Sequence, residues 1–408
     1  MKVLQLCKKY PYPTKDGETI AVTNLSAALS RLGCEVHGLV MNTTRHTGET
    51  GDHRPQYRSL RAVPVDNRIR PLDALRCLIS GKSYHIARFE STDFNLALVE
   101  LLQTYRFDIV QLETLYLAPY VATIRQYAPQ ARIVMRAHNV EHEIWQRIVQ
   151  NSRFPKRWYL RQLTRQLEQY ETEHLNDYDL LVPISRRDEQ TFRHLGYRGA
   201  AQVTPIGIDL HSYRPDERSF LRPPSVSFIG SLDWMPNQEG LRWFLKRVWA
   251  SVERELPQLR LHVAGRNTPE QWLRGRRASV EFLGEVDCAR AFLNQHSLSV
   301  VPLLSGSGMR AKILEAMALG KVVVSTRIGL EGIDAQHRRE VLIADTPEEF
   351  LQCFRFAVEH PQVIRKMGRR AREFALSHYD FLATGQELLN TYRKLCGMVE
   401  PVMSKIDR

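Results

Sequence analysis

Residues 299–326 constrain the fold of this chain more tightly than any other stretch. Residues 299–304 are an apolar run of buried-strand length, and residues 305–308 are small and flexible. From about Met309 a helix is predicted, carrying Ile313, Leu314, Met317 and Ala318 on one side until Gly320 stops it. Residues 322–326 read as strand again. Strand, glycine loop, helix and strand make a βαβ unit, the building block of a parallel sheet with helices on its faces.

The loop of that unit has a chemical use. Lacking Cβ, Gly306 and Gly308 let backbone N–H groups come close to an anion, and the helix N-terminus adds a favourable partial charge. Arg310 and Lys312 bring two cations to the same turn. Glu315 stands one turn beyond Lys312, where a carboxylate can accept hydrogen bonds from the paired hydroxyls of a sugar. Diphosphate beside ribose describes a nucleotide-sugar. Taken alone, the loop reads equally as a plain βαβ turn with solvated charges, because short glycine motifs need context.

The context is a resemblance. The run Gly306-x-Gly308-x-Arg310-x-Lys312-Ile313-Leu314-Glu315-Ala316-Met317-Ala318-x-Gly320, followed by Val322-Val323-Val324-Ser325-Thr326 and Gly329-x-Glu331-Gly332, resembles the donor site of glycosyltransferase family 4, enzymes of the GT-B fold. That family usually has two glutamates with seven residues between them. Glu315 matches the second, which implies contact with ribose hydroxyls, while Ser307 occupies the place of the first. A subset of bacterial exopolysaccharide-associated sugar transferases, which this chain most resembles, also carries a glycine-rich basic loop there.

A length of 408 residues predicts two to three domains, and 43% hydrophobic with 25% charged residues is ordinary globular usage. No apolar run approaches the ~18 residues of a membrane span, and the lysines at 8 and 9 cut short the apolar N-terminus, so the expected location is cytoplasmic. The six cysteines are scattered without metal-ligand spacing and are expected as free thiols. The net charge of +12 suits phosphate-bearing ligands, nucleic acid or an anionic membrane surface. The membrane ranks first, because Arg61, Arg68, Arg70, Arg76 and Lys82 mix with Leu72, Leu75, Leu78 and Ile79, and Arg153, Lys156, Arg157, Arg161 and Arg165 stand beside Phe154, Trp158 and Tyr159. An ordinary solvated basic face is the alternative.

Taken in order, residues 3–7 form a strand, and the loop through Gly17 leads into a helix with Val22, Leu25, Ala28, Leu29 and Leu32 at helical spacing. The strand at 35–41 follows, then a polar surface loop over 42–58. A strand at 107–112, a helix over 116–127 and a strand at 132–137 continue the alternation. Ligands of open α/β sheets bind beyond the carboxyl ends of the strands, which gives the cluster Arg136-Ala137-His138-Asn139-Val140-Glu141 a functional position. In the resembled family the loop at Gly17 borders the cleft, and a histidine matching His138 faces the donor sugar. Glu141 reads either as an acceptor-side group or as charge at a helix N-terminus.

The polar, proline-bearing stretch after Tyr213 marks a boundary before the strand that ends at Gly230. Ser231 stands where many family members have an arginine that holds the diphosphate, so Arg310 and Lys312 gain importance, joined by Arg266 unless it merely faces solvent. The family reads the base with backbone after a glycine such as Gly284, which brings in Glu285 and Val286. The helical end of the chain resembles the family's C-terminal helix that crosses back to the first domain.

The expected architecture is therefore α/β: GT-B, two doubly wound Rossmann-like domains facing a cleft, with residues 1–214 on the acceptor side, 215–378 binding the nucleotide-sugar and 379–408 returning. The expected activity is a retaining glycosyltransferase using His138, Arg310 and Lys312, with Gly17, Gly230, Arg266, Gly306, Ser307, Gly308, Glu315, Glu285 and Val286 around the donor. No metal and no other cofactor is implied, since no D-x-D pair stands near the diphosphate loop. The partners expected are a nucleotide-sugar, a glycan or lipid-linked acceptor and an anionic membrane's inner face, with no nucleic acid. An epimerase or phosphorylase on the same fold, or a non-catalytic nucleotide-sugar-binding protein, are the rival readings.

Overall fold

A computed structural model describes residues 1–14, 16–44, 54–150, 152–273, 278–306 and 308–398. The chain divides into two compact units, Met1–Gly207 with Phe381–Arg408, and Ile208–Asp380.

The first unit holds a seven-stranded sheet of β1 (Lys2–Cys7), β2 (Glu35–Thr43), β3 (Ser59–Val65), β4 (Ile109–Leu112), β5 (Arg132–Ala137), β6 (Leu180–Pro183) and β7 (Ala200–Ala201). The order is β3-β2-β1-β4-β5-β6-β7, and the paired neighbours run parallel. The chain reverses its direction of winding between β1 and β4, which opens a crevice at their carboxyl ends. β1, β4 and β6 are apolar almost throughout because helices cover both faces of the sheet.

Asn42 and Thr43, expected in a surface loop, are instead the last residues of β2, where they pair with Pro64 and Val65 of β3. The helix expected over 116–127 is divided: a 3-10 turn covers Leu115–Tyr120 and an α-helix covers Val121–Tyr127. Pro119 explains the division, since it has no N–H to continue an α-helical ladder.

The last helix, Phe381–Leu395, belongs to the first unit. Leu388, Leu389 and Tyr392 share a buried cluster with Val3, Leu25, Ile109 and Val134. Gly385 lets this helix lie against Gly17–Arg31, for a Cβ there would come within 2.6 Å of the Ala28 Cβ.

The second unit holds β8 (Ser225–Ile229), β9 (Arg260–Ala264), β10 (Val280–Gly284), β11 (Leu298–Val301), β12 (Val322–Ser325) and β13 (Val341–Ile343) in the order β10-β9-β8-β11-β12-β13, again parallel. Winding reverses between β8 and β11, so the glycine loop after β11 opens at the switch point of this sheet. The helix after the loop is Ala311–Ala318, two residues later than expected, because Arg310 is extended and acts as its N-cap. The unit closes where Ile208 meets the chain's return, with Ile208 N donating to Tyr379 O at 2.7 Å.

Candidate functional site

In the second unit, the segments that follow four strands, β8, β9, β10 and β11, supply the expected donor residues. Gly306 and Gly308 both adopt positive φ, +117° and +77°, which a residue with Cβ rarely tolerates. At Gly306 a Cβ would also meet the Arg310 guanidinium at 2.7 Å. Arg310 is buried, and its charge lies 5.6 Å from the centre of the Trp234 ring.

Lys312 reaches across the switch point. Its ammonium donates to Asn237 Oδ1 at 2.8 Å and to Ile229 O, the last carbonyl of β8, at 3.3 Å. Asn237 is held in turn by donating to Ser231 O at 2.8 Å. Burial, with the neighbouring Arg310 charge added, pulls the Lys312 pKa down to about 7. The charge of an arriving dianion would oppose both effects and raise the pKa again, which makes this ammonium a poised partner for a diphosphate. Gly230 is required beside it, because a Cβ there would lie 2.8 Å from Asn237 Nδ2 and 3.1 Å from Lys312 Nζ.

Arg266 follows β9 and donates to Ser231 Oγ at 3.4 Å, so it stands beside the β8 turn. Gly265 N donates to Gly284 O at 2.7 Å, which sets the end of β10 next to that of β9 and leaves Glu285 exposed and Val286 half-buried beyond it. Glu315 Oε1 accepts from the Tyr213 hydroxyl at 2.7 Å. Burial raises the Glu315 pKa, opposed by that hydrogen bond and by Arg290. Ser307, also expected here, lies outside the described residues.

In the first unit, a polar cluster occupies the carboxyl ends of β1, β4 and β5. His138 Nε2 pairs with Glu113 Oε2 at 2.8 Å, both side chains buried. Glu113 also accepts from Gln5 Nε2 at 2.5 Å and from the Gln111 amide. Burial pushes the Glu113 carboxyl up, but the His138 hydrogen bond and the fully buried Arg136 outweigh it, and its net pKa is lowered. Gly17 begins the helix Gly17–Arg31, which Asp16 caps by accepting from Thr19 N at 2.9 Å. Glu18 in its first turn pairs with Lys8 at 3.2 Å and Lys9 at 3.4 Å. Lys8 also stands 4.5 Å over the Tyr116 ring, whose hydroxyl donates to Glu141 Oε2 at 3.0 Å. Burial raises the Glu141 pKa, whereas Lys8 and Lys9 overcome burial at Glu18 and lower it. Two carboxylates are thus pushed apart in acidity within one cluster.

Comparison with known proteins bears on the family and the fold. A profile described as Glycosyltransferase Family 4 matches residues 16–212, and one described as Glycosyl transferases group 1 matches residues 223–360. The chain belongs to glycosyltransferase family 4. Over 259 residues the transferase is 26% identical to an uncharacterized 44.6 kDa protein in the cps region of Klebsiella pneumoniae, a match spanning 60% of this chain and 65% of that one. Its fold is similar to sucrose-phosphate synthase from Thermosynechococcus elongatus, at a TM-score of 0.73 and 18% identity over 97% of this chain and 100% of that one. It is also similar to Anabaena HepE solved in complex with UDP, at a TM-score of 0.68 and 14% identity over the same shares. Both transferase units are therefore those of a GT-B fold.

The structure of the transferase gathers Gly230, Gly306, Gly308, Arg310 and Lys312 at one switch point, with Arg266 beside it and Glu315 one turn on. His138 and Gly17 lie in the other unit, in a separate cluster. Sequence reasoning missed Asn237, Tyr213 and Glu113. Glu113 had a usable signal, since it directly follows β4 just as His138 directly follows β5. Tyr213 had none, because its partner Glu315 is 102 residues away.

Proposed function

We propose that this family 4 chain is a retaining, metal-independent glycosyltransferase that moves a sugar from a nucleotide-sugar to a hydroxyl of a glycan or lipid-linked acceptor in polysaccharide biosynthesis. The observation that carries the reading is Lys312: a part-buried ammonium with a pKa near 7, anchored across the switch point beside Arg310 and a loop with two left-handed glycines. These groups suit a leaving diphosphate, whose charge grows in the transition state and would be stabilised by the two cations and the loop amides. In the reaction the acceptor oxygen bonds to the anomeric carbon on the face from which the C–O bond to phosphate breaks. The departing phosphate takes the acceptor's proton.

Glu315 is assigned to the ribose hydroxyls, Gly230 and Arg266 to the diphosphate, and the backbone at Glu285 and Val286 to the base. Ser307 completes the loop in this assignment. His138 is assigned to the transfer step, with Gly17 at the start of the neighbouring helix. The HepE complexes with UDP and with UDP-glucose support a uridine donor class, and the cps-region relative supports a polysaccharide setting. A lipid-linked acceptor would bring the protein to the inner face of a membrane, and the charge of +12 favours an anionic one.

The experiment is a thermal-stability and calorimetric screen of nucleoside diphosphates and their sugars, followed by transfer assays with the stabilising donor. Ligand that binds only the native state raises its apparent stability. If no nucleotide-sugar binds at all, the reading fails. Binding with donor hydrolysis or epimerisation alone would replace transfer with one of those reactions.

A further inference from the structure

The helix Pro71–Ser80 presents the wrong face to water. Its bulky residues Leu72, Leu75 and Ile79 recur at helical spacing on the outward side, with Arg76 between them, while small Ala74 is the residue it buries. Leu72 and Ile79 are 73% and 79% exposed, and Ile69 just before the helix 70%. This is an unpartnered face and not a loosely attached helix. Ala74 packs with Leu163 of the helix Lys156–Glu173 and with Tyr84, and Gln166 Nε2 donates to the carbonyls of Cys77 and Leu78 at 3.2 and 3.3 Å. At the N-terminal end of that supporting helix stand two more large exposed groups, Phe154 at 84% and Trp158. Soluble proteins seldom expose so many large apolar side chains together without a binding role.

Charge decides what covers this face. Arg68, Arg70, Arg76 and Lys82 surround the first helix, and Lys156, Arg157, Arg161 and Arg165 line the exposed side of the second. Asp66 is shared by Arg68 and Arg70, and Asp73 lies 3.5 Å from Arg76, so the remaining cations dominate. Apolar side chains along a helix, ringed by arginine and lysine and with an exposed tryptophan at the margin, match the boundary between acyl chains and anionic headgroups.

We propose that this face docks on an anionic lipid surface, with Leu72, Leu75 and Ile79 entering the acyl boundary and Phe154 and Trp158 lying at headgroup depth. No helix among the described residues is long and apolar enough to cross a membrane, so the attachment is lateral and reversible. The proposal deepens, and rests on, the membrane-facing part of the function proposed above. Insertion, and not charge alone, supplies the grip: cations steer the protein to the surface, and added salt weakens them by shortening the Debye length over which they act.

The test is co-sedimentation of the full chain with vesicles of phosphatidylcholine alone and of phosphatidylcholine mixed with phosphatidylglycerol, at low and high salt. Wild type is expected to bind the mixed vesicles and to retain part of that binding in high salt. Leu72→Ser combined with Leu75→Ser and Ile79→Ser should lower partitioning about tenfold or more and make the residue fully salt-sensitive. Arg157→Glu with Arg161→Glu should abolish the preference for the anionic lipid. Since the three apolar residues are exposed, the serine variant should keep its melting temperature and its UDP affinity. Should it unfold, Ile79→Trp serves instead and should strengthen binding.

Wild-type binding that the serine and tryptophan variants leave unchanged would overturn the assignment of this face while the membrane reading survives. Absence of wild-type binding to anionic vesicles overturns both. A dimer in analytical ultracentrifugation that the serine variant dissociates, without vesicle binding, would give the face to a second copy of the chain. Loss of UDP binding in every form would sink the transferase reading independently.

Discussion

The Tyr213 hydroxyl donates to Glu315 Oε1 at 2.7 Å, tying a turn near the start of the second unit to the helix that follows its glycine loop. Arg290 stacks 5.0 Å over the Tyr213 ring, so the tyrosine is itself fixed. One carboxylate oxygen of Glu315 is therefore committed to the protein, and Oε2 is left for the ligand proposed here. Burial of Glu315 also means that this anion relies on its few partners.

Tyr213→Phe is expected to weaken binding of UDP by roughly 0.5–1.5 kcal/mol, the ordinary net worth of one hydrogen bond, and to leave inorganic diphosphate unaffected. Glu315→Gln should show the same selectivity with a larger loss. Calorimetry with the two ligands checks both, and parallel weakening toward inorganic diphosphate would make the pair structural only.

Arg310→Ala and Lys312→Ala should each cost about 1.5–3 kcal/mol in affinity for UDP and for inorganic diphosphate alike, as charge-assisted contacts do. Unchanged calorimetric affinity in either variant would remove that residue from the diphosphate site.

Lys312 also predicts a pH dependence whose sign follows from its pKa of about 7. Below pH 7 the ammonium is present before the ligand arrives. Above pH 7 a proton must be taken up on binding, so UDP affinity should fall by up to about tenfold per unit as pH rises toward 9. Stability of the ligand-free protein moves the other way, because between pH 7 and the ordinary lysine range the unfolded chain binds the proton that the folded one has shed. Calorimetry in buffers of different ionisation enthalpy would register the proton uptake. A flat profile, with no proton exchanged, contradicts the assignment.

Glu113→Ala should destabilise the first unit by about 3–5 kcal/mol, since it strips the buried Arg136 of a counter-charge and His138 of its partner. Glu113→Gln keeps the shape and should cost less stability, while lowering kcat through His138. A denaturant titration paired with transfer kinetics separates the two effects; stable, fully active Glu113→Gln would confine Glu113 to a structural role.

Transfer should persist in excess EDTA, because Arg310 and Lys312 are proposed to meet the charge that a divalent ion would otherwise meet. Activity abolished by chelation and restored by magnesium or manganese would replace that mechanism.

Local pattern alone determined a good deal of this protein. The alternation of apolar runs with helical spacing requires parallel α/β sheets, because strands connected through helices can pair only side by side and must be covered on both faces. The glycines at 306 and 308, with Arg310, Lys312 and Glu315 following, are the sequence basis of the proposed anion loop, since backbone freedom and charge spacing within one turn are properties of adjacent residues. His138 was legible for the same reason, as a polar residue directly after an apolar strand. What the tertiary structure decided were relationships between segments far apart in the chain. Asn237 and the Ile229 carbonyl hold Lys312 from 75 and 83 residues away, and only the strand order that sets β8 beside β11 brings them there. The lowered pKa of Lys312 is likewise a property of its surroundings, because desolvation depends on everything packed around the ammonium. The outward face of Pro71–Ser80 is the clearest case: its sequence fits a buried amphipathic helix as well as an exposed one, and only packing through Ala74 turned Leu72 and Ile79 toward the solvent.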